Sequence, residues 1–211
     1  MSIKKYFVTG TDTEVGKTYV SALICKYFIT KGKKVGVFKP VESGMENNPE
    51  PDFKILAKAA QDREKPFYTF KRPLAPFIAA MIEGGSIKIE KILEFITEDI
   101  SRNDYDIYIV EGAGGLFVPV SKNAMMIDIL KMTGFKAILV GRTNLGTVNH
   151  TLMSVEALRR RGVDISSVIL NEVIETDSKE IKDNIKMIEQ FGNIKVDAVV
   201  RRNETEIRTN I

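Results

Sequence analysis

Along this 211-residue chain, short apolar runs alternate with runs whose apolar residues are spaced as on a helix. The strand-like runs are Tyr6-Phe7-Val8, Val35–Phe38, Tyr105–Val110, Ala137–Gly141, Ile165–Leu170 and Lys195–Val200. Several are apolar at consecutive positions, the pattern of a strand covered on both faces. Helix-spaced stretches lie between them: Tyr19–Phe28, Phe53–Ala60, Ile87–Ile96, Met125–Met132, His150–Arg161 and a stretch ending at Phe191 that opens on an Asp177/Glu180 capping-box pattern. Pro66 to Ile82, with Pro73 and Pro76, reads as loop with one short helix, and Arg201 to Ile211 as a polar tail. Such alternation calls for an α/β fold, a doubly wound and mostly parallel sheet with helices on both faces. The length suits one domain, 1–211. Right-handed crossovers in such a sheet bring the carboxyl ends of the strands to one rim, where ligands bind, so residues just past each strand are the site candidates.

After the first strand comes Gly10-Thr-Asp-Thr-Glu-Val-Gly-Lys-Thr18, and behind it the first helix. In a strand–loop–helix setting the backbone N–H groups from Glu14 and Val15 through Gly16, Lys17, Thr18 and Tyr19 converge on a point that attracts phosphate oxygens. Lys17 then reaches the terminal phosphates and the Thr18 hydroxyl holds Mg²⁺. The spacing departs from the usual phosphate loop: Thr11 takes the first glycine's place and Gly10 lies one residue earlier.

Other strand ends add chemistry. Lys39 follows Val35–Phe38, with Pro40 ending the ladder, and is either a site cation or a solvated lysine. Asp52 heads a helix and reads as its N-cap or as a metal ligand, roles that do not exclude each other. Glu111 tips Tyr105–Val110 ahead of Gly112, Ala113, Gly114 and Gly115, where a nucleotide hydrolase carries the acid that fixes Mg²⁺ or its water. Phe117 to Val120 supplies apolar walls. Thr143 to Asn149 gathers hydroxyl and amide groups at the positive end of a helix, an anion site or simple capping by Thr147 or Asn149. Asn171 tips the next strand, and His150, the single histidine, reads as structural.

Charge excludes some classes. With 31 basic and 28 acidic residues intermixed, net +3, nothing forms the basic stripe that nucleic acid requires. Arg159-Arg160-Arg161 ends a helix, where cations suit the negative pole. Cys25, without a disulfide partner, reads as a core hydrophobe and implies a reduced, cytoplasmic setting. There is no apolar leader and no run near ~18 apolar residues, so neither export nor membrane spanning is expected.

Four blocks carry a family resemblance: Thr9–Thr18, Phe38-Lys-Pro-Val-Glu-Ser-Gly44, Val110-Glu-Gly-Ala-Gly-Gly115 and Asn144-Leu-Gly-Thr-Val-Asn-His150. In this order and spacing they resemble dethiobiotin synthetase, an ATP-dependent enzyme of biotin biosynthesis with a P-loop NTPase-like fold, over Lys4 to about Asn171. The resemblance implies that 7,8-diaminononanoate takes up CO₂ as a carbamate, ATP phosphorylates it, and the second amine closes the ring with loss of phosphate. It implies Lys39 as the catalytic lysine beside Lys17, and Thr13 and Ser43 as contacts to diamine or carbamate. It further implies Thr18, Asp52 and Glu111 as Mg²⁺ ligands and Asn171 as the reader of the base. Gly146, Thr147 and Asn149 would hold the substrate carboxylate across the two-fold interface of a homodimer. After Asn171 the sequence departs from the family: Val199-Val-Arg-Arg-Asn203 lacks the proline of the loop that covers adenine, so a looser base site, open to nucleotides other than ATP, is expected. Two alternatives are an amide-forming ligase of the same phosphate-loop group and a partition-type dimeric ATPase switch. The latter carries a lysine early in the loop, where Thr11 and Asp12 stand here.

Overall fold

The computed structural model describes every residue except Met1, Ser2, Asn47 and Asn210. In chain order the elements are β1 (Lys4–Gly10), α1 (Lys17–Thr30), β2 (Val35–Phe38), β3 (Val41–Ser43), α2 (Asp52–Ala60), β4 (Tyr68–Phe70), α3 (Pro76–Ile82), α4 (Ile89–Arg102) and β5 (Ile107–Gly115). They continue as β6 (Pro119–Ser121), β7 (Ala124–Met125), α5 (Met126–Thr133), β8 (Lys136–Arg142), α6 (Thr147–Arg160), β9 (Ile165–Asn171), α7 (Ser178–Gly192) and β10 (Ala198–Val200). The main sheet runs β10-β9-β8-β1-β5-β2, parallel throughout.

Each central strand is apolar at successive positions because each face feeds a different core. Phe7, Tyr108, Val110, Ala137 and Leu139 pack with residues of α4, α5, α6 and α7. Their neighbours Tyr6, Val8, Ile107, Ile109, Ile138 and Val140 pack with α1 and α2 on the other side. A side-chain period of two with both faces covered produces this pattern. From β1 the chain crosses towards β2, and from β8 towards β9, so β1 and β8 flank the point where the winding reverses, and ligands bind at such a point.

The expected elements are present, with three corrections. β5 runs on through Glu111 to Gly115, because Gly10 pairs with Gly115 across a register shift and extends the ladder past the expected end at Val110. The Pro66–Ile82 stretch holds, besides helix α3, the strand β4, which pairs in parallel with β3; each is three residues long, too short to show a period. The polar tail is packed: Ile207 is 6% exposed against the α1 core, and the Tyr19 hydroxyl donates to the Glu204 carbonyl. Asp177 caps α7 as expected, accepting from Lys179 and Glu180 N–H. Cys25 is fully buried, and burial pushes its thiol up. Among the described residues no helix is long and apolar enough to cross a membrane.

Candidate active site

The rim at the carboxyl ends of β1, β2 and β5 encloses a cavity of about 290 Å³. Its floor is the phosphate loop. Thr11 N–H donates to the Val140 carbonyl, and the Asp12 carboxylate accepts from Thr13 N–H and from Arg142 Nη2 at 2.9 Å, so the loop is tied to β8. Glu14 has φ +58°, left-handed backbone that a side chain rarely adopts, and Gly16 follows at φ +84°. At Gly16 glycine is required twice, since a Cβ there would also lie 2.1 Å from Asn171 Nδ2. Asn171 Nδ2 donates to the Val15 carbonyl at 3.0 Å, pinning the loop from behind. Helix α1 starts at Lys17, so its unpaired N–H groups open towards the cavity.

The end of β2, the start of α2 and β5 bring charge to one point. Lys39 Nζ lies 2.6 Å from Asp52 Oδ2 and 2.7 Å from Glu111 Oε1. The same Glu111 oxygen accepts from the Thr18 hydroxyl at 2.8 Å, and Oε2 accepts from the Ser21 hydroxyl at 2.6 Å. Lys39 and Glu111 are almost wholly buried. Removing such ions from water costs several kcal/mol each, about as much as their attraction returns, so the pair is weak as a source of stability and is better understood through its chemistry. Burial works against the Lys39 charge, but Glu111 and Asp52 outweigh it and hold the ammonium above its ordinary value. Burial pulls Lys17 down; Glu111 opposes this and the Lys39 charge adds to it. Lys17 Nζ meanwhile donates to the Asp12 carbonyl at 3.3 Å.

Among the expected site residues, Thr13, Glu14, Gly16, Lys17 and Thr18 line this cavity from the loop and the start of α1; Lys39, just past β2, Ser43 of β3, Asp52 of α2, and Ala113 and Gly114 of β5 line it as well. Glu111 sits beneath it, 0% exposed. Val15 is buried under the loop, and Tyr19 is 39% exposed on α1 beside the tail. Gly112 faces inward, where a Cβ would meet the Phe7 ring at 2.9 Å and Met126 at 3.1 Å. Gly146, Thr147 and Asn149 do not line the cavity. Gly146 is the left-handed N-cap of α6, Thr147 donates its hydroxyl to the Arg142 carbonyl, and Asn149 is exposed. Neither residue caps the helix through its side chain.

Asp52 is not an N-cap. It is the first residue of α2, behind Pro51, and its carboxylate is turned to Lys39. The helix N–H groups go instead to Glu42, whose Oε1 and Oε2 accept from Asp52 and Phe53. Burial raises the Glu42 carboxyl, with Lys39 opposing. Sequence reasoning missed Glu42. The available signal was Pro51, which offers no side-chain acceptor at the cap position, so the acceptor had to come from elsewhere.

The donor set suits magnesium shared with phosphates. Among the described residues no three His, Cys, Asp or Glu cluster as a self-sufficient metal site. Two carboxylates and a hydroxyl do gather here, all hard oxygen donors, around a point that already accommodates positive charge. Mg²⁺ is held in this way, by one or two carboxylates with phosphates completing its shell.

A family described as an AAA domain matches residues 4–207. The chain is 39% identical over 198 residues to the ATP-dependent dethiobiotin synthetase BioD of Methanococcus vannielii, covering 92% of each. It is 38% identical over 204 residues to that of Methanocaldococcus jannaschii, covering 94% of each, and 34% identical to that of Bacillus subtilis strain 168, covering 92% of this chain and 85% of the relative. Among solved structures, the MinC:MinD cell division protein complex of Aquifex aeolicus gives a TM-score of 0.60 at 15% identity over 95% of this chain and 82% of that one. The signal recognition particle 54 kDa protein of Aeropyrum pernix K1 gives 0.58 at 16% over 100% and 44%. These place the fold with the P-loop NTPases. With Lys17, Lys39, Asp52 and Glu111 on one rim and relatives matched over nearly their full length, the chain belongs to the AAA-domain family and, within it, to the ATP-dependent dethiobiotin synthetases.

Proposed function

We propose that this chain closes the cyclic urea of dethiobiotin from 7,8-diaminononanoate, CO₂ and ATP. One amine adds to CO₂ and loses a proton to give a carbamate. A carbamate oxygen attacks the γ-phosphorus, ADP leaves, and a carbamic–phosphoric anhydride forms. The second amine then attacks the carbonyl carbon, and phosphate departs as the second C–N bond forms.

The observation that carries this reading is the Lys39 ammonium, 2.6 and 2.7 Å from two carboxylates beside the phosphate loop. Carbamate and triphosphate are both anions, so the barrier is largely their repulsion, and catalysis consists of holding positive charge where they meet. Lys17 serves the phosphates from the loop side and Lys39 the carbamate and the transferring phosphoryl group. Thr13 and Ser43, which both line this cavity, suit the diamine or carbamate. Thr18, Asp52 and Glu111 would hold Mg²⁺, which would neutralise phosphate charge. Asn149, exposed near the start of α6, would bind the substrate carboxylate from the second chain of a homodimer; Thr147, with its hydroxyl and N–H both committed within its own chain, would shape that turn instead.

The test is phosphate release with diaminononanoate and bicarbonate, each omitted in turn. Release that requires both supports the reading; release indifferent to the diamine refutes it. The same assay with ATP, GTP and CTP tests base selectivity. Asn171 is 5% exposed and spends one of its two amide N–H donors on the Val15 carbonyl, so one donor and the amide oxygen remain for a base that no proline-containing loop covers. Turnover with all three is expected, and strict ATP preference would count against it.

A further inference from the structure

Glu42 is a buried carboxylate, 4% exposed, for which the reaction above has no use. Both of its oxygens are committed to backbone: Oε1 accepts from Asp52 N–H at 2.6 Å and Oε2 from Phe53 N–H at 3.2 Å. It does from ten residues upstream what a serine or aspartate at the cap does locally. The result is a clamp between β3 and the first turn of α2, across the intervening loop.

What the clamp fixes is Asp52. The Asp52 side chain is 35% exposed, so packing does little to aim it. Its backbone N–H is held 2.6 Å from Glu42, and from that position Oδ2 reaches Lys39 at 2.6 Å. Glu42 and Lys39 lie three residues apart in one segment, so a single stretch of chain supplies the ammonium and the anchor for the carboxylate that faces it.

We propose that Glu42 is a positioning residue of this site: it seats the first turn of α2 so that the Asp52 carboxylate is presented to the divalent ion and to Lys39. This rests on the reading of Asp52 as a metal ligand. Residues that orient a ligand from behind change metal affinity by about 10 to 100-fold when removed, without touching the metal. A cap that only stabilised the helix would leave metal affinity alone.

The experiment measures Mn²⁺ binding by electron paramagnetic resonance in the presence of a non-hydrolysable ATP analogue, for the full-length wild type, Glu42→Ala and Glu42→Gln. Circular dichroism checks that each is folded. Glu42→Ala is expected to lose at least about tenfold in Mn²⁺ affinity while its affinity for the analogue without metal stays within about twofold. Glu42→Gln, which keeps one acceptor, should fall between. Wild-type Mn²⁺ affinity in Glu42→Ala overturns the proposal, and so does an equal loss of metal and of metal-free nucleotide binding, which marks a purely structural role. If the wild type itself binds the analogue equally with and without Mn²⁺, it is the metal reading of the site that fails, and the role given to Glu42 goes with it.

Discussion

Lys39 is the residue on which the proposed chemistry turns, and its surroundings say how a substitution should read out. Lys39→Ala removes the charge that meets the carbamate and the transferring phosphoryl group, an interaction made mainly in the transition state. Turnover should fall by roughly 10²-fold or more, while the Kd for nucleotide, governed by the loop and Lys17, changes far less. Steady-state kinetics with nucleotide binding measured separately check this, and unchanged turnover removes Lys39 from the mechanism. The convergence of Lys39, Lys17, Thr18 and Glu111 was legible in the sequence because each lies at or near the carboxyl end of a strand, and the parallel sheet brings those ends together. Glu42 was not legible, since its partners are backbone N–H groups across a loop and no local pattern records them. Asp52 was half legible: its type and place at a helix start suggested a cap, but once Glu42 holds the N–H groups its carboxylate turns to Lys39 instead.

At the scale of elements, β2 is the edge strand that delivers Lys39, and a buried charge cluster fastens it. Lys65 Nζ lies 2.6 Å from both Asp62 Oδ2 and Asp99 Oδ2 and 3.1 Å from the Tyr105 hydroxyl. Asp62 accepts from Val37 N–H of β2 at 3.0 Å, and Asp99 accepts from the Tyr108 hydroxyl of β5 at 2.7 Å. Lys65→Met leaves the Asp62 carboxylate without its cation and Asp99 with only the exposed Arg63, and should cost about 3–5 kcal/mol in urea unfolding, far more than an exposed pair. Burial favours a neutral Asp99, yet Lys65, Tyr108 and Arg63 outweigh it and hold the carboxyl below its ordinary value. A depressed folded-state value contributes stability above the ordinary carboxylate range and loses it as pH falls through the depressed one. The stability gap between wild type and Asp99→Asn should therefore be widest near neutral pH and close in acid; a gap independent of pH would show that Asp99 carries no charge worth counting. None of this cluster was visible in sequence, because its members come from α4, β5 and the segment after α2. The strands and long helices were visible, since two-faced burial and helical spacing leave a period, whereas β3, β4 and the β6–β7 pair are too short to leave one.

At the scale of the molecule, the segment expected to hold the substrate carboxylate and the cavity expected to use it do not meet within one chain. Thr147 is buried against the Arg142 carbonyl, while Asn149 is exposed and Leu145 beside it is 89% exposed. If two chains pair so that the cavity of one meets the α6 start of the other, two inactive variants should rescue one another. Lys39→Ala empties the cavity side. Asn149→Asp sets a like charge against the substrate carboxylate, yet an acid in the first turn of α6 favours the helix dipole, so the chain should fold. After unfolding and refolding an equal mixture, random pairing makes half the dimers mixed, each with one intact site of two, so about a quarter of the wild-type activity should return. Recovery of that size places residues from two chains in one site. No recovery, with mixed dimers demonstrated by differential tagging, confines each site to a single chain and leaves Asn149 without a substrate role.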